Sequence, residues 1–354
     1  IRVLVVEDSP TAQMLLRHIL SLVPDFQVVG VAQNGEQAVD MVCDCRPDVI
    51  TMDIHMPKMD GFQATQRIME TRATPIVIVS ASSTVLESTT AIRALGAGAV
   101  AIEARPVGFG HPEFARGAAK LVETVRLMAG VKVVKRWAKR ESVTTEVSQP
   151  KVTQSRASRI RLAAIGASTG GPAVLLTILS ALPHDFPFPV VIVQHICDGF
   201  IAGLAEWLNR AISLPVQVAH HDEVLRAGHV YLAPSGVHLR ITPQGRAVLD
   251  DSPAQYGVRP SVDQLFRSVA SAFGREAVAV LLTGMGTDGS DALGAVKDAG
   301  GITVAQNEAS SVVHGMPGTA IRLGAVDHVL SPGEIGAFLR NLGTPNLNHH
   351  VNSD

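Results

Sequence analysis

Cysteine, aromatic residues, long apolar runs and an excess of one charge are all scarce in this sequence. Three cysteines (Cys43, Cys45 and Cys197) in 354 residues cannot build a disulfide framework, and a reduced, cytoplasmic protein is expected. Aromatic residues make up 4% of the chain. Small and branched aliphatics must therefore fill the interior, which suits stacked α/β layers better than a β-sandwich. No apolar run approaches the ~18 residues needed to span a bilayer, and no signal-peptide pattern opens the chain. Ile1 already lies inside a strand-like run, so a few residues are expected to precede it. Thirty basic residues against 32 acidic ones leave a formal net charge of −2, without the basic excess of a nucleic-acid binder; DNA is not an expected partner. What is abundant is apolar residues, 46% against 18% charged, enough to bury large cores over two domains.

From Arg2 to about Leu127, apolar runs alternate with helical patterns. The runs are Val3–Val6, Val28–Val31, Val49–Met52, Ile76–Val79 and Ala99–Ile102, short and without polar alternation, as in strands buried on both faces. Helical stretches such as Thr11–Leu22 and Glu36–Cys43 separate them. Five β/α repeats predict a doubly wound parallel sheet over residues 1–127. Residues 128–160 read as a basic linker: nine Lys and Arg face two Glu between Lys132 and Arg161, with weak apolar periodicity. An electrostatic contact with an acidic partner is the alternative reading there. A second α/β domain is expected over 161–343, with strands at Leu162–Gly166, Val190–Gln194, Val278–Leu282 and Ile302–Ala305. Val230–Ala233, His238–Ile241 and Ala247–Asp250 suggest a hairpin-bearing insert in a mainly parallel sheet. Helices are expected to start near Pro172, Pro260 and Gly289. Residues 344–354 read as a polar tail, and the His349–His350 pair in it as incidental.

Glu7 and Asp8 end the first strand and Asp53 the third. In a parallel sheet these ends open onto one crevice. Three carboxylates meeting there need a cation, and oxygen ligands suit Mg²⁺, which often bridges to a phosphoryl group. Ser80 ends the fourth strand, and Arg105, just before Pro106, brings positive charge to the same edge. The set of Glu7–Asp8, Asp53 with Met56–Pro57 and Asp60–Gly61, Ser80 and Arg105–Pro106 resembles a response-regulator receiver domain. That resemblance implies Asp53 as phosphoacceptor, Mg²⁺ held by Glu7, Asp8, Asp53 and the backbone carbonyl of His55, and Ser80 and Arg105 against the phosphoryl group. Two positions depart from the pattern: Arg105 stands where receivers usually carry Lys, a non-conservative exchange, and Ile102 where they often place Tyr or Phe.

In the second domain, Ala164-Ile165-Gly166-Ala167-Ser168-Thr169-Gly170-Gly171-Pro172 follows a strand and opens a helix. Such a loop can cradle a phosphate or expose Ser168 as a nucleophile; it lacks the Gly-Lys-Ser/Thr ending of a P-loop and is not Gly-x-Ser-x-Gly either. Its company decides between them. His195 ends the next strand, and Asp288 lies in a second Gly-rich loop, Leu282–Gly289. A serine hydroxyl needs a base, and the base a group that holds its tautomer; three parallel strands could deliver all three to one edge. Cys197, with His220 and His221, has neither the reach for a strand-borne dyad nor the spacing for zinc. His229 and His238 read as surface or packing residues, and Met316 as a packing or loop residue.

With Gly228–Pro234, Arg259-Pro260-Ser261-Val262-Asp263 and Ala305–Gly318, the second block resembles the catalytic domain of the chemotaxis protein-glutamate methylesterase/glutaminase, or CheB, family. The resemblance implies a cytoplasmic, phosphorylation-regulated hydrolase acting on glutamate methyl esters, and on glutamines, of methyl-accepting chemoreceptors, with a histidine kinase as phosphodonor and membrane contact only through the receptors. Ser168 would be nucleophile, His195 base and Asp288 its orienter. Thr169, Met285 and Gly286 would supply oxyanion donors, and the catalytic domain would need no cofactor. Unphosphorylated, the receiver would hold the esterase shut. The competing expectations are a response regulator with a nucleotide-binding output, one with a non-enzymatic scaffold output, and a transcriptional effector. The last would need a helix-turn-helix that Leu162–Leu342 does not contain.

Overall fold

The structure, a computed structural model, describes residues 1–80, 85–131, 133 and 160–343. Most of the expected linker and all of the expected tail, including His349–His350, lie outside the described residues. The chain divides into two compact units, one of Ile1–Val143 with Ile196–Leu204, the other of Thr144–His195 and Ala205–Asp354.

The first unit follows the order β1 (Arg2–Val6), α1 (Pro10–Ser21), β2 (Gln27–Ala32), α2 (Gly35–Cys45), β3 (Val49–Met52), α3 (Gly61–Thr71), β4 (Ile76–Ser80), α4 (Val85–Ala97), β5 (Ala101–Ala104) and α5 (Phe114–Ala129). Its sheet runs β2-β1-β3-β4-β5, with every pairing parallel. β3 and β4 are buried at every position, which is why the apolar runs are continuous. The helices start abruptly because Ser9, Asn34 and Asp60 each accept a hydrogen bond from a backbone N–H three residues on, the usual N-cap. β5 begins two residues later than the expected run at Ala99, because the N–H groups of Gly98 and Ala99 are spent on the Ala94 carbonyl at the end of α4.

The second unit contains β6 (Leu162–Ala167), α6 (Gly171–Leu179) and β7 (Val190–Gln194). After α7 (Ile201–Ala211), whose first residues through Leu204 are counted with the first unit, come β8 (Val216–Val218), β9 (Val230–Leu232), β10 (His238–Ile241), β11 (Ala247–Asp250) and α8 (Val262–Phe273). The unit closes with β12 (Ala277–Leu281), α9 (Ser290–Asp298), β13 (Ile302–Gln306), α10 (Met316–Arg322), β14 (His328–Leu330) and α11 (Pro332–Gly343). Seven strands pair in the order β14-β13-β12-β6-β7-β9-β8, all parallel. One expectation changes here. Only β10 and β11 form the separate antiparallel hairpin; the run at Val230 is a full member of the main sheet, between β7 and β8.

α8 shows how the sheet is covered. Val262, Leu265, Phe266, Val269 and Phe273 recur at helical spacing and are buried in the core with Leu162, Ala164, Ala279 and Leu281, one apolar stripe facing inward. The chain winds outward from β6 through β7, then returns to place β12 on the other flank of β6. In such sheets, the crevice at the carboxyl ends where winding reverses is where ligands bind.

Candidate active site and acidic pocket

Ser168 sits at that reversal point. β6 and β7 pair in register up to Ala167 and Gln194, so Ser168 and His195 are the next residues out on neighbouring strands, about 4.8 Å apart across the ladder. The last rung is His195 N–H donating to the Ala167 carbonyl at 2.9 Å. On the other flank, Ser168 N–H donates to the Thr283 carbonyl at 3.0 Å, and Thr283 Oγ1 donates to the Thr169 carbonyl at 3.0 Å. The nucleophile candidate is pinned from both neighbouring strands. Gly284 faces it so closely that a Cβ there would meet the Ser168 Cβ at 2.6 Å; only glycine leaves Ser168 its place.

His195 Nε2 lies 2.9 Å from Asp288 Oδ2. A carboxylate can only accept, so Nε2 carries a proton, and in the neutral imidazole Nδ1 is then the nitrogen with the lone pair. Asp288 is buried and held by four donors. Oδ1 accepts from Ser261 Oγ at 2.7 Å and Asp263 N–H at 3.1 Å; Oδ2 accepts from Val262 N–H at 2.7 Å as well as from His195. Burial alone would raise the Asp288 carboxyl, but the His195, Ser261 and Val262 bonds outweigh it and hold the group below the usual carboxylate range. Asp288 thus caps α8 from a distant loop, with its charge at the positive end of the helix. Ser261 makes no cap of its own because its hydroxyl is turned to Asp288. His238, buried, fixes that turn by accepting from Ser261 N–H at 3.1 Å.

Two of the three expected catalytic side chains are therefore hydrogen-bonded, and the third stands on the adjacent strand end. The Ser168 hydroxyl makes no hydrogen bond to the His195 ring in this structure; such bonds are commonly loose before substrate enters. Thr169 is half-buried, while Met285 and Gly286 are exposed. The backbone N–H groups of all three donate to no other described residue, the state an oxyanion donor requires. The Ser168 N–H is excluded from that role by its bond to Thr283. Cys197 is no rival nucleophile: burial pushes its thiol up to about 11, so it stays protonated near neutrality. Sequence reasoning missed Ser261, His238, Thr283 and Gln194. The run Arg259–Asp263 stands out in the sequence, but nothing local in it signals that it holds a carboxylate 25 residues further on.

In the first unit, β1 and β3 pair in register at Val6 and Met52, so Glu7 and Asp53 emerge side by side. Oxygen atoms of Glu7, Asp8 and Asp53 all lie within 4.8 Å of one another. Arg105 Nη2 is 2.9 Å from Glu7 Oε2 and 3.1 Å from Asp53 Oδ1. Burial, then the Asp53 charge, raises Glu7 to about 7, and burial also raises Asp53. Glu7 Oε2 is buried without a well-formed hydrogen bond. An oxygen-only cluster with crowded, incompletely satisfied carboxylates fits a small hard cation. Ser80, buried, closes β4, and Arg105 N–H donates to its carbonyl at 3.0 Å. His55 is exposed, two residues beyond Asp53.

These features define a class first: a receiver-like domain followed by a second doubly wound α/β domain, each with its candidate site at the strand ends where winding reverses. The response regulator receiver domain family matches residues 3–109, and the CheB methylesterase family matches residues 163–339. The chain belongs to the CheB methylesterase family. It is 48% identical over 343 residues to protein-glutamate methylesterase/protein-glutamine glutaminase 4 of Geobacter metallireducens, covering 97% of this chain and 99% of that protein. It is 49% identical over 345 residues to the protein-glutamate methylesterase/protein-glutamine glutaminase of Nitrosospira multiformis, covering 97% of each. Among solved structures, the CheB methylesterase catalytic domain of Thermotoga maritima is similar with a TM-score of 0.51 and 39% identity, over 52% of this chain and 98% of that one. The alternatives of a nucleotide-binding or non-enzymatic output are not favoured by these matches. Among the described residues, no helix is long and apolar enough to cross a membrane.

Proposed function

We propose that this chain is a phosphorylation-controlled protein-glutamate methylesterase and protein-glutamine glutaminase, with Ser168, His195 and Asp288 as its catalytic residues. The observation that carries the reading is the 2.9 Å His195–Asp288 bond beside Ser168 at the reversal point of the sheet. Asp288 keeps the proton on Nε2, so His195 takes the Ser168 proton at Nδ1 as the hydroxyl oxygen attacks the ester carbonyl. The N–H groups of Thr169, Met285 and Gly286, which donate to no other described residue, would stabilise the oxyanion; losing one such donor costs about 10²–10³ in rate. The ester C–O bond breaks, His195 protonates the departing methanol, and the acyl group remains on Ser168. Water, deprotonated by His195, then attacks the acyl-enzyme, and Ser168 leaves with the proton, freeing glutamate. With a glutamine side chain the same steps release ammonia.

Domain limits of 1–127 for the receiver, 128–160 for the linker, 161–343 for the catalytic domain and 344–354 for the tail accompany this reading. In the receiver, Asp53 is the phosphoacceptor. Glu7, Asp8, Asp53 and the His55 carbonyl would hold Mg²⁺, which when bound neutralises charge on a transferring phosphoryl group. Ser80 and Arg105 would meet the phosphoryl oxygens. The substrates are methyl-accepting chemoreceptors and the phosphodonor a histidine kinase, which puts the protein in the cytoplasm, touching membrane only through the receptors. Methanol release from methylated receptors, with and without a phosphodonor, tests the whole reading. Wild type should accelerate with the donor, Asp53→Ala should lose that acceleration alone, and Ser168→Ala should lose activity throughout. Normal release by Ser168→Ala would end the assignment.

A further inference from the structure

Beyond the last rung of the β6–β7 ladder, no backbone hydrogen bond joins the Ser168 and His195 loops. A side chain does so instead. Gln194, the final residue of β7 and buried, donates from Nε2 to the Ser168 carbonyl at 2.8 Å and to the His195 carbonyl at 2.8 Å. Both partners are pure acceptors, so the nitrogen end of the carboxamide can face only this way. We propose that Gln194 is a positioning residue: its carboxamide extends the ladder one step past the sheet and fixes the separation of the nucleophile and base backbones. This inference rests on the catalytic roles given above for Ser168 and His195.

The other half of the carboxamide argues that stability is not what Gln194 serves. Its Oε1 is buried with no hydrogen-bond partner, and an unsatisfied buried acceptor is costly. An apolar side chain of similar length would avoid that penalty. The surroundings nonetheless make room for it: a Cβ on Gly171 would sit 2.0 Å from Oε1, so glycine at the start of α6 is what admits the carboxamide. The Ser168 carbonyl has a second donor in Gly171 N–H at 2.8 Å. Without Gln194, the turn after Ser168 would stay tied to its own helix but lose its tie to His195. The rung from His195 N–H to the Ala167 carbonyl would remain, but the peptides just beyond it would lose their cross-link, and displacements near 1 Å can cost about 10² in rate.

The test uses the full chain with Gln194→Met, which keeps length and removes the donors, and Gln194→Asn, which keeps a carboxamide too short to reach both carbonyls. Ser168→Ala runs alongside. Thermal melting establishes the folded fraction, methanol release from protein glutamate methyl esters gives kcat and KM, and a fluorophosphonate probe reports the intrinsic reactivity of Ser168 per folded molecule. Expected are a kcat and a labelling rate lowered about 10- to 100-fold in Gln194→Met, a clear loss in Gln194→Asn, and KM within threefold of wild type in both. If both variants, normalised to folded protein, keep kcat and labelling within twofold of wild type, the positioning role is wrong. A loss confined to KM also overturns it. Normal methanol release by Ser168→Ala would instead remove the catalytic reading on which the clamp depends.

Discussion

At the scale of single residues, the histidine–aspartate pair fixes the chemistry through its tautomer. An amide at 288 would donate to Nε2 rather than accept from it, leaving the proton on Nδ1, where Ser168 needs a lone pair. Asp288→Asn is therefore expected to lower kcat by roughly 10³–10⁴ without unfolding the domain, a drop of the size that tautomer reversal causes in other serine hydrolases. Ser261→Ala is a finer probe. It removes the 2.7 Å donor to Oδ1, leaves the carboxylate less well stabilised and so a stronger partner for a protonated imidazole. kcat/KM should fall about tenfold, as for the loss of one charge-assisted bond, while the melting temperature changes little. An unchanged kcat/KM would show that Ser261 only packs. That Ser168, His195 and Asp288 share one sheet edge is legible in the sequence because each follows an apolar run and two sit in glycine-rich loops; their catalytic roles are proposals. Ser261 and Gln194 are not legible, since a polar residue at a strand or helix end looks the same whether it meets solvent or a catalytic backbone.

At the scale of elements, the N-terminus of α8 acts as part of the site. Val262 is its first residue, and its N–H reaches Asp288 Oδ2 at 2.7 Å. Proline is tolerated at a first helical position, and Ser261, with φ −113° and ψ 135°, already has the extended conformation that precedes proline. Val262→Pro should therefore fold, delete that one donor and lower kcat severalfold more than it lowers the melting temperature would suggest, which parallel melting and kinetic measurements would show. The strands were readable where burial on both faces makes an unbroken apolar run, as in β3, β7 and β12. β8 and β14, three residues each, carry too short a signal. The run at Val230 looks like insert in the sequence because a strand's neighbours depend on tertiary pairing, and its own residues do not reveal that β7 lies beside it.

At the scale of the molecule, one sheet plan serves two chemistries. Both parallel sheets reverse their winding beside the strand that carries the proposed reactive residue, and each crevice holds buried carboxylate charge, a cluster of three in the first and Asp288 in the second. The difference is in how those charges are balanced. Asp288 is surrounded by donors, whereas Glu7 and Asp53 share a single Arg105 headgroup. Since Glu7 is raised from 4.5 to about 7, the metal-free fold binds a proton that the unfolded chain releases at lower pH. The native state is favoured by that proton below about pH 4.5 and loses the advantage as pH climbs to about 7. Melting in EDTA should show Glu7→Gln matching wild type at pH 4.5 and exceeding it by on the order of 2 kcal/mol above pH 7. A difference that does not grow across this window would mean that Glu7 ionises normally. Adding Mg²⁺ above pH 7 should stabilise wild type more than Glu7→Gln.

The orientation of the imidazole has a chemical signature of its own. Since Asp288 occupies Nε2, an electrophilic mimic of the ester that alkylates the ring from the crevice meets Nδ1. Hydrolysis of the tagged protein to amino acids should then yield the π-substituted histidine isomer, opposite to the τ isomer left when a carboxylate grips the other nitrogen.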